Sequence, residues 1–269
     1  MKKWIAMILA LAMMFTLAAC GGNDAAADDN AGDEEVALIY AVEAGSAGEA
    51  AAAENNWQYN SVVDQATALM EVASGTSDAA IIDLLMAGAM IGEGTSYPDL
   101  TYTDKLTTEE YGVGCRQGSD LVAVINAVFS ATYADGSMQE IAKKYGVQES
   151  LCQQPAGLSW EAAEGGDVAA IQEKGKLVVG ITEFAPMDYK EAGSDEWIGF
   201  DADMARLVAE ELGVEIEFVV IDWDMKINEV NAKNIDCVWN GMTLTAEVTS
   251  AMDCSAPYCN NAQVVVVAK

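Results

Sequence analysis

Apolar and polar positions along this chain fall into two alternating kinds of run. Short, mostly β-branched apolar runs at 36–42, 79–82, 176–181, 216–221, 235–239 and 263–267 have strand length, and several stop at Gly, Asn or Asp. Between them lie helical periods: Val63, Ala66, Leu69, Met70 and Ala73, then 121–133, 138–144, 169–174 and 204–212. Trp57 to Tyr59 adds a further short strand, and 147–168 has Gly, Pro and acidic residues without a period, which marks a linker with a short helix around Trp160 to Glu164. Strand and helix alternating on both sides of that linker predict an α/β protein, with enough chain for one large or two small domains.

Three strand ends carry candidate chemistry. The run 235–239 breaks at Asn240-Gly241, and Thr243 and Thr245 can cap a helix beginning near Ala246, with Glu247 in its first turn. Such a strand, turn and helix start points backbone N–H groups at one spot beyond the strand's carboxyl end, where small ligands bind in open sheets. Near the N-terminus Gly45 makes a turn, Ser46 is a helix N-cap and Glu49 stands at the capping-box offset. Asp83 directly follows a buried apolar run, so it is either a helix cap or a ligand contact.

These segments resemble a known family. D-x-x-W-N-G-x-T-x-T at 236–245, preceded by Ile221-Asp222-Trp223-Asp224 and followed by Pro257-Tyr258 and the 263–267 strand, is similar to the first lobe of polar amino-acid solute-binding proteins of ABC importers, bacterial extracellular solute-binding protein family 3. The order Y-N-S, A-L-M-E-V-A-S-G, D-A-A-I-I-D resembles the family's second lobe, and E-E-Y-G-V-G-C-R its return crossover. The resemblance implies a bilobed periplasmic-binding-protein-like fold of type II, with a hinge, closing noncovalently on a solute. It implies that Asp83 takes an ammonium, that Phe184 and Trp223 enclose the ligand's side chain, and that Ser46, Ala47, Asn240, Gly241, Met242 and Thr243 offer N–H groups, a carbonyl and hydroxyls. A core-facing Phe184 is the alternative for that residue.

The lobes come in swapped order, as a circular permutation cut at one crossover would leave them, with 147–168 joining the old ends. The resulting divisions are 1–20 leader, 21–35 tether, 36–110 second lobe of the family, 111–146 crossover strand and helices packing on the first lobe, 147–168 linker and 169–269 first lobe. This arrangement predicts that the 263–267 strand lies beside 111–115 and that one covalent strand links the lobes.

Charge and cysteine content narrow the partners. Net charge is −30 and histidine is absent, which argues against nucleic acid and removes the commonest general base and zinc ligand. No metal or cofactor is expected. Met1 to Cys20 has two lysines, an apolar run too short for a comfortable span, and L-A-A-C, which resembles the lipoprotein cleavage box with Cys20 as the lipidated residue; a plain signal cleaved after Ala19 is the alternative. Either way the protein works outside the cytoplasm. Residues 23–35 are small and acidic and read as a tether. Cys115, Cys152, Cys237, Cys254 and Cys259 show no C-x-x-C spacing, although Cys254 and Cys259 could pair. The expected partners are an amino acid or amine-bearing solute and an ABC permease, with membrane contact through the lipid alone and a monomeric protein.

Two departures from the family bear on the ligand. Val248 stands where the family has a carboxylate-clamping arginine, and Ala47 replaces a threonine. Arg116 and Arg206 map away from the cleft, while Lys226 either reaches into it or lies on the solvated face. The chain should therefore favour a cationic amine without an essential carboxylate, or bind ordinary amino acids weakly. The resemblance also extends to periplasmic dehydratases, for which Glu183 and Asp83 would have to face each other, and a ligand-sensing lipoprotein without transport is a third reading.

Overall fold

Strand and helix alternate from the start of the described chain: Ile39–Glu43 (β1), Ala47–Glu54 (α1), Gln58–Val62 (β2), Gln65–Ser74 (α2), Ala79–Asp83 (β3), Leu84–Met90 (α3) and Leu100–Tyr102 (β4). Glu109–Cys115 (β5), Leu121–Asp135 (α4) and Ser137–Lys144 (α5) follow. After an irregular stretch come Asp167–Lys174 (α6), Lys176–Ile181 (β6), the hairpin Tyr189–Lys190 (β7) and Trp197–Ile198 (β8), Phe200–Leu212 (α7), Glu215–Val220 (β9) and Lys226–Asn231 (α8). Cys237–Thr243 (β10), Ala246–Ala251 (α9), Asp253–Cys254 (β11), Cys259–Asn261 (β12) and Gln263–Ala268 (β13) complete the chain. This computed structural model describes residues 37–103 and 105–269. The leader, Cys20 and the acidic tether lie outside the described residues.

The strands form two main sheets, each with its own helices. One has the order β2-β1-β3-β13-β4, with α1 and α2 packed on it; the other runs β11-β5-β10-β6-β9, with β12 also on β5 and with α4, α6 and α7 against it. β1 is parallel to β2 and β3, and β6 is parallel to β9 and β10, as helix-connected strands require. The two sheets are the two α/β lobes.

Each sheet borrows a strand from the distant part of the chain. β5 follows β4 yet pairs with β10 of the second sheet, while β13 follows β12 yet lies antiparallel between β3 and β4 of the first. This corrects two expectations. The 263–267 strand is not beside 111–115; the neighbours there are β10 on one side and β11 and β12 on the other, with Cys259 opposite Tyr111. Two connections, at 103–108 and at Ala262, join the sheets rather than one, because the chain crosses once before β5 and again before β13.

Local signals explain most element ends. Ser46 accepts from Glu49 N–H at 3.1 Å, Asp64 from Thr67 N–H at 2.7 Å and Thr245 from Val248 N–H at 3.2 Å, so three helix starts are capped by side chains. Gly75, Gly175 and Gly213 end α2, α6 and α7 in the left-handed conformation. Asn240-Gly241 does not end its strand: β10 runs on to Thr243 through a register shift, with Gly241 at φ +55, and is a bulged strand. In α2 the buried face is Gln65, Ala68, Leu69 and Val72, while Val63 and Met70 are exposed, so the sequence period was set one residue off.

The linker is neither helical at 160–164 nor loose. Cys152 N–H donates to Tyr258 O, Leu158 N–H to Ser130 Oγ, and the Asp120 carboxylate accepts from Ala163 and Val168 N–H. Cys254 lies opposite Gly114 and Cys259 opposite Tyr111. Three strand positions separate their partners by about 10 Å, beyond the ~7 Å limit on the Cα separation of a disulfide. All five described cysteines are free thiols.

Candidate functional site

The carboxylate of Asp83 sits where the two crossing strands meet. β3 places it at the carboxyl end of a fully buried strand, and antiparallel pairing sets Gln263 of β13 directly opposite. Tyr111 of β5 donates its hydroxyl to Asp83 Oδ1 at 2.7 Å and Gln263 Nε2 donates at 3.1 Å; the amides of Asn261 and Gln65 donate as well. Asp83 thus collects donors from α2, β5, β13 and the end of β12, and its side chain makes no cap bond to α3. Burial, followed by the nearby Glu109 carboxylate, pushes its pKa up to about 7.

Two more acids adjoin it. Glu109 accepts from Asn261 Nδ2 at 3.2 Å, Gln263 Nε2 at 3.0 Å and Thr243 Oγ1 at 3.1 Å. Glu43, at the end of β1, is buried with Oε1 unpartnered, and burial together with Asp83 and Asp64 raises it to about 8. Among the described residues, neither Glu43, Asp83 nor Glu109 has a lysine or arginine within ion-pair distance. No described group of side chains is arranged to hold a metal ion. The cluster is therefore a buried acidic region under neutral donors with no ion-paired cation among the described residues, suited chemically to a cationic group.

The residues expected to line the other wall are mostly packed. Phe184 is 3% exposed, meets the Tyr111 ring edge-on at 6.4 Å, and lies so close to Gly241 that a Cβ there would come within 2.4 Å of it. Asn240 accepts from Thr182 N–H and keeps Nδ2 buried and unpartnered; Gly241 N–H donates to Asp201 Oδ2 at 2.6 Å. Met242 and Trp223 belong to a buried apolar cluster that also holds Val248. Thr243 is half-buried on Glu109, and Ser46 and Ala47 begin α1 just beyond the carboxyl end of β1, inside the first sheet. The structure thus brings Asp83 and Thr243 together through Glu109 and packs Phe184 directly on Gly241 beside Tyr111, whereas Trp223 and Met242 pack in the apolar cluster.

Glu183 is exposed while Asp83 is buried, so the two carboxylates of the dehydratase reading differ in environment. Arg116 is engaged by Asp167, Val230 O and Ile235 O, and Arg206 by Asp203. Lys226 is not on the solvated face: it is buried, with Nζ on Gly45 O at 2.8 Å and Trp223 O at 3.2 Å. Sequence reading passed over Glu43, Gln65, Glu109, Asn261 and Gln263. Their types carried a faint signal, since polar residues flanking buried strands need partners, but their convergence arises from the crossing of β5 and β13. An open concavity of about 490 Å³ is bordered by Thr107, Glu109, Thr243 and Asn260 and touches the acidic cluster at Glu109.

Comparison with known proteins bears on the same part of the fold. Residues 177–269 match the bacterial extracellular solute-binding proteins, family 3. The matched segment runs from β6 to β13 and holds Phe184, Trp223 and the bulged β10 strand. The chain is similar to the arginine-binding extracellular protein ArtP of Bacillus subtilis, at 34% identity over 36% of this chain and 37% of ArtP. It is also similar to the L-cystine-binding protein TcyJ of Escherichia coli, at 31% identity over 38% of this chain and 39% of TcyJ. The matches span less than two fifths of the length of those relatives. Among solved structures, the ancestral cationic amino acid solute binding protein AncCDT-1 is 35% identical over 32% of this chain and 37% of its own, with a TM-score of 0.31. The curated relatives are binding proteins by description.

Proposed function

We propose that this protein is an extracytoplasmic solute-binding lipoprotein, anchored through Cys20, which captures an amino acid or related amine-bearing solute between its lobes and delivers it to an ABC importer. The observation that carries the reading is the acidic cluster of Glu43, Asp83 and Glu109 at the strand crossing, which has no ion-pairing cation among the described residues. A solute ammonium would supply the missing charge, with Asp83 as its main partner and Thr243, half-buried at the end of the bulged β10 strand, offering a hydroxyl. Family 3 similarity over 177–269 supports solute capture, and the arginine- and cystine-binding relatives support an amino-acid-like ligand.

The lobe order fits a circular permutation. The chain passes between the two sheets twice, before β5 and before β13. Binding would close the two lobes by hinge motion at these crossings.

A thermal-shift screen of amino acids, amines and short peptides tests the function. Wild-type protein should gain about 2.7 kcal/mol at one hundred times the dissociation constant of its ligand. Asp83→Ala should abolish that shift for every amine-bearing ligand while remaining folded; an undiminished shift would remove Asp83 from the site.

A further inference from the structure

Lys226 opens α8 and is 7% exposed, an unusual setting for a lysine. Its ammonium donates to Gly45 O at 2.8 Å and to Trp223 O at 3.2 Å, and lies 5.0 Å from the centre of the Trp223 ring. Gly45 belongs to the lobe of the first sheet and Trp223 to the lobe of the second, so this ammonium ties one to the other. The two segments touch there: a Cβ on Gly45 would lie 2.7 Å from Asp224 Cα. No described carboxylate forms an ion pair with Lys226, although Glu247, Glu43, Asp224 and Glu49 act on it from further out.

These surroundings are those of a cation site. Main-chain carbonyls and an aromatic face are the partners that recognise a bound ammonium or guanidinium. Glu43, one of the acids acting on Lys226, is itself buried and has an oxygen with no partner. A lysine carries its charge on a flexible four-carbon stem and can swing away from two carbonyls without breaking a buried ion pair.

We propose that Lys226 is a tethered occupant of a cation site built jointly by the Gly45 turn and the Trp223 turn, and that a primary ammonium or guanidinium group of a solute takes this position when Lys226 swings out. In the absence of solute the lysine holds the lobes together; a cationic ligand replaces it. The inference rests on the reading that the lobes open and close around a solute, yet it concerns a position separate from the Asp83 oxygens.

The test removes the occupant and supplies it from solution. In the full chain, Lys226→Ala should melt several degrees higher in propylammonium chloride than in sodium chloride of equal ionic strength, with a saturable dependence. Wild-type protein should respond only weakly and at higher propylammonium concentration, because Lys226 competes for the site, and propanol should act on neither. Equal responses of variant and wild type, or no response in either, overturn the proposal. Should the alanine variant fail to fold, mapping of lysine acylation in wild-type protein decides: Lys226 should react far more slowly than the exposed Lys105 and Lys143, and equal rates overturn its occupancy. A Lys226→Ala protein that still binds a solute through Asp83 but ignores propylammonium would overturn the internal occupant and leave the solute-binding reading standing.

Discussion

Asp83 shows how one residue's surroundings set its chemistry. Four neutral donors satisfy its oxygens, yet burial and the Glu109 charge still raise its pKa to about 7, and Glu43 beside it reaches about 8. Near pH 7 both acids are therefore partly protonated in the free protein. A bound ammonium favours their ionised forms, so binding should release protons, and affinity should strengthen as pH rises from 6 to 8. Calorimetry in buffers of different ionisation enthalpy measures that release directly. Asp83→Asn should lose most of it, and binding heats independent of buffer would show that the acids do not face the ligand. Val248 illustrates the opposite case: buried among Trp223, Met242 and Met252, it serves packing, so a carboxylate clamp cannot be added there without disturbing that cluster.

At the scale of elements, β13 has the largest consequence. It is a central strand of the first sheet, paired with β3 over five residues and with β4 over three, and it delivers Gln263 to Asp83. Val264 and Val266 are buried in the main core, while Val265 and Val267 pack with Tyr40 and Val42 on the other face. Truncation after Ala262 would separate β3 from β4 and expose both faces of that layer. We expect the truncated chain to lose the cooperative melt of the first lobe while the second sheet, which does not contain β13, keeps its strand pairing. Hydrogen exchange resolved by segment checks this; unchanged protection of β1 and β3 would contradict the central placement of β13.

For the whole molecule, buried acids couple stability to pH. Asp83 and Asp201 titrate at about 7 in the folded chain and Glu43 at about 8, against ordinary values of 3.8 for aspartate and 4.5 for glutamate. Burial is the leading cause for all three. With folded pKa values raised, the folded state holds more protons than the unfolded one between about pH 4 and pH 8, so stability falls as pH rises through that window. Repulsion within a chain of net charge −30 acts in the same direction. The melting temperature without ligand should accordingly be higher at pH 5.5 than at pH 8. A profile that is flat or rises toward pH 8 would mean that these groups are solvated in the native state.

Much of the architecture was legible in local sequence. The strands ending at Asp83 and Ile181, the caps Ser46 and Thr245 and the glycine stops at Gly75 and Gly213 depend on interactions within a few residues, so periodicity and cap chemistry reveal them. The W-N-G-x-T-x-T stretch likewise declared itself, although as a bulged strand rather than a strand end. Where β5 and β13 lie was decided only in three dimensions, because an apolar β-branched strand fits either sheet and pairing energy alone does not name its neighbour. The same holds for the acidic cluster, whose members are separated by up to 220 positions from Glu43 to Gln263, and for Lys226, whose burial depends on the Gly45 turn of the other lobe. Chain-local physics set which segments are strands and helices; the long-range crossing of two strands set which side chains meet, and hence where a cation can be held.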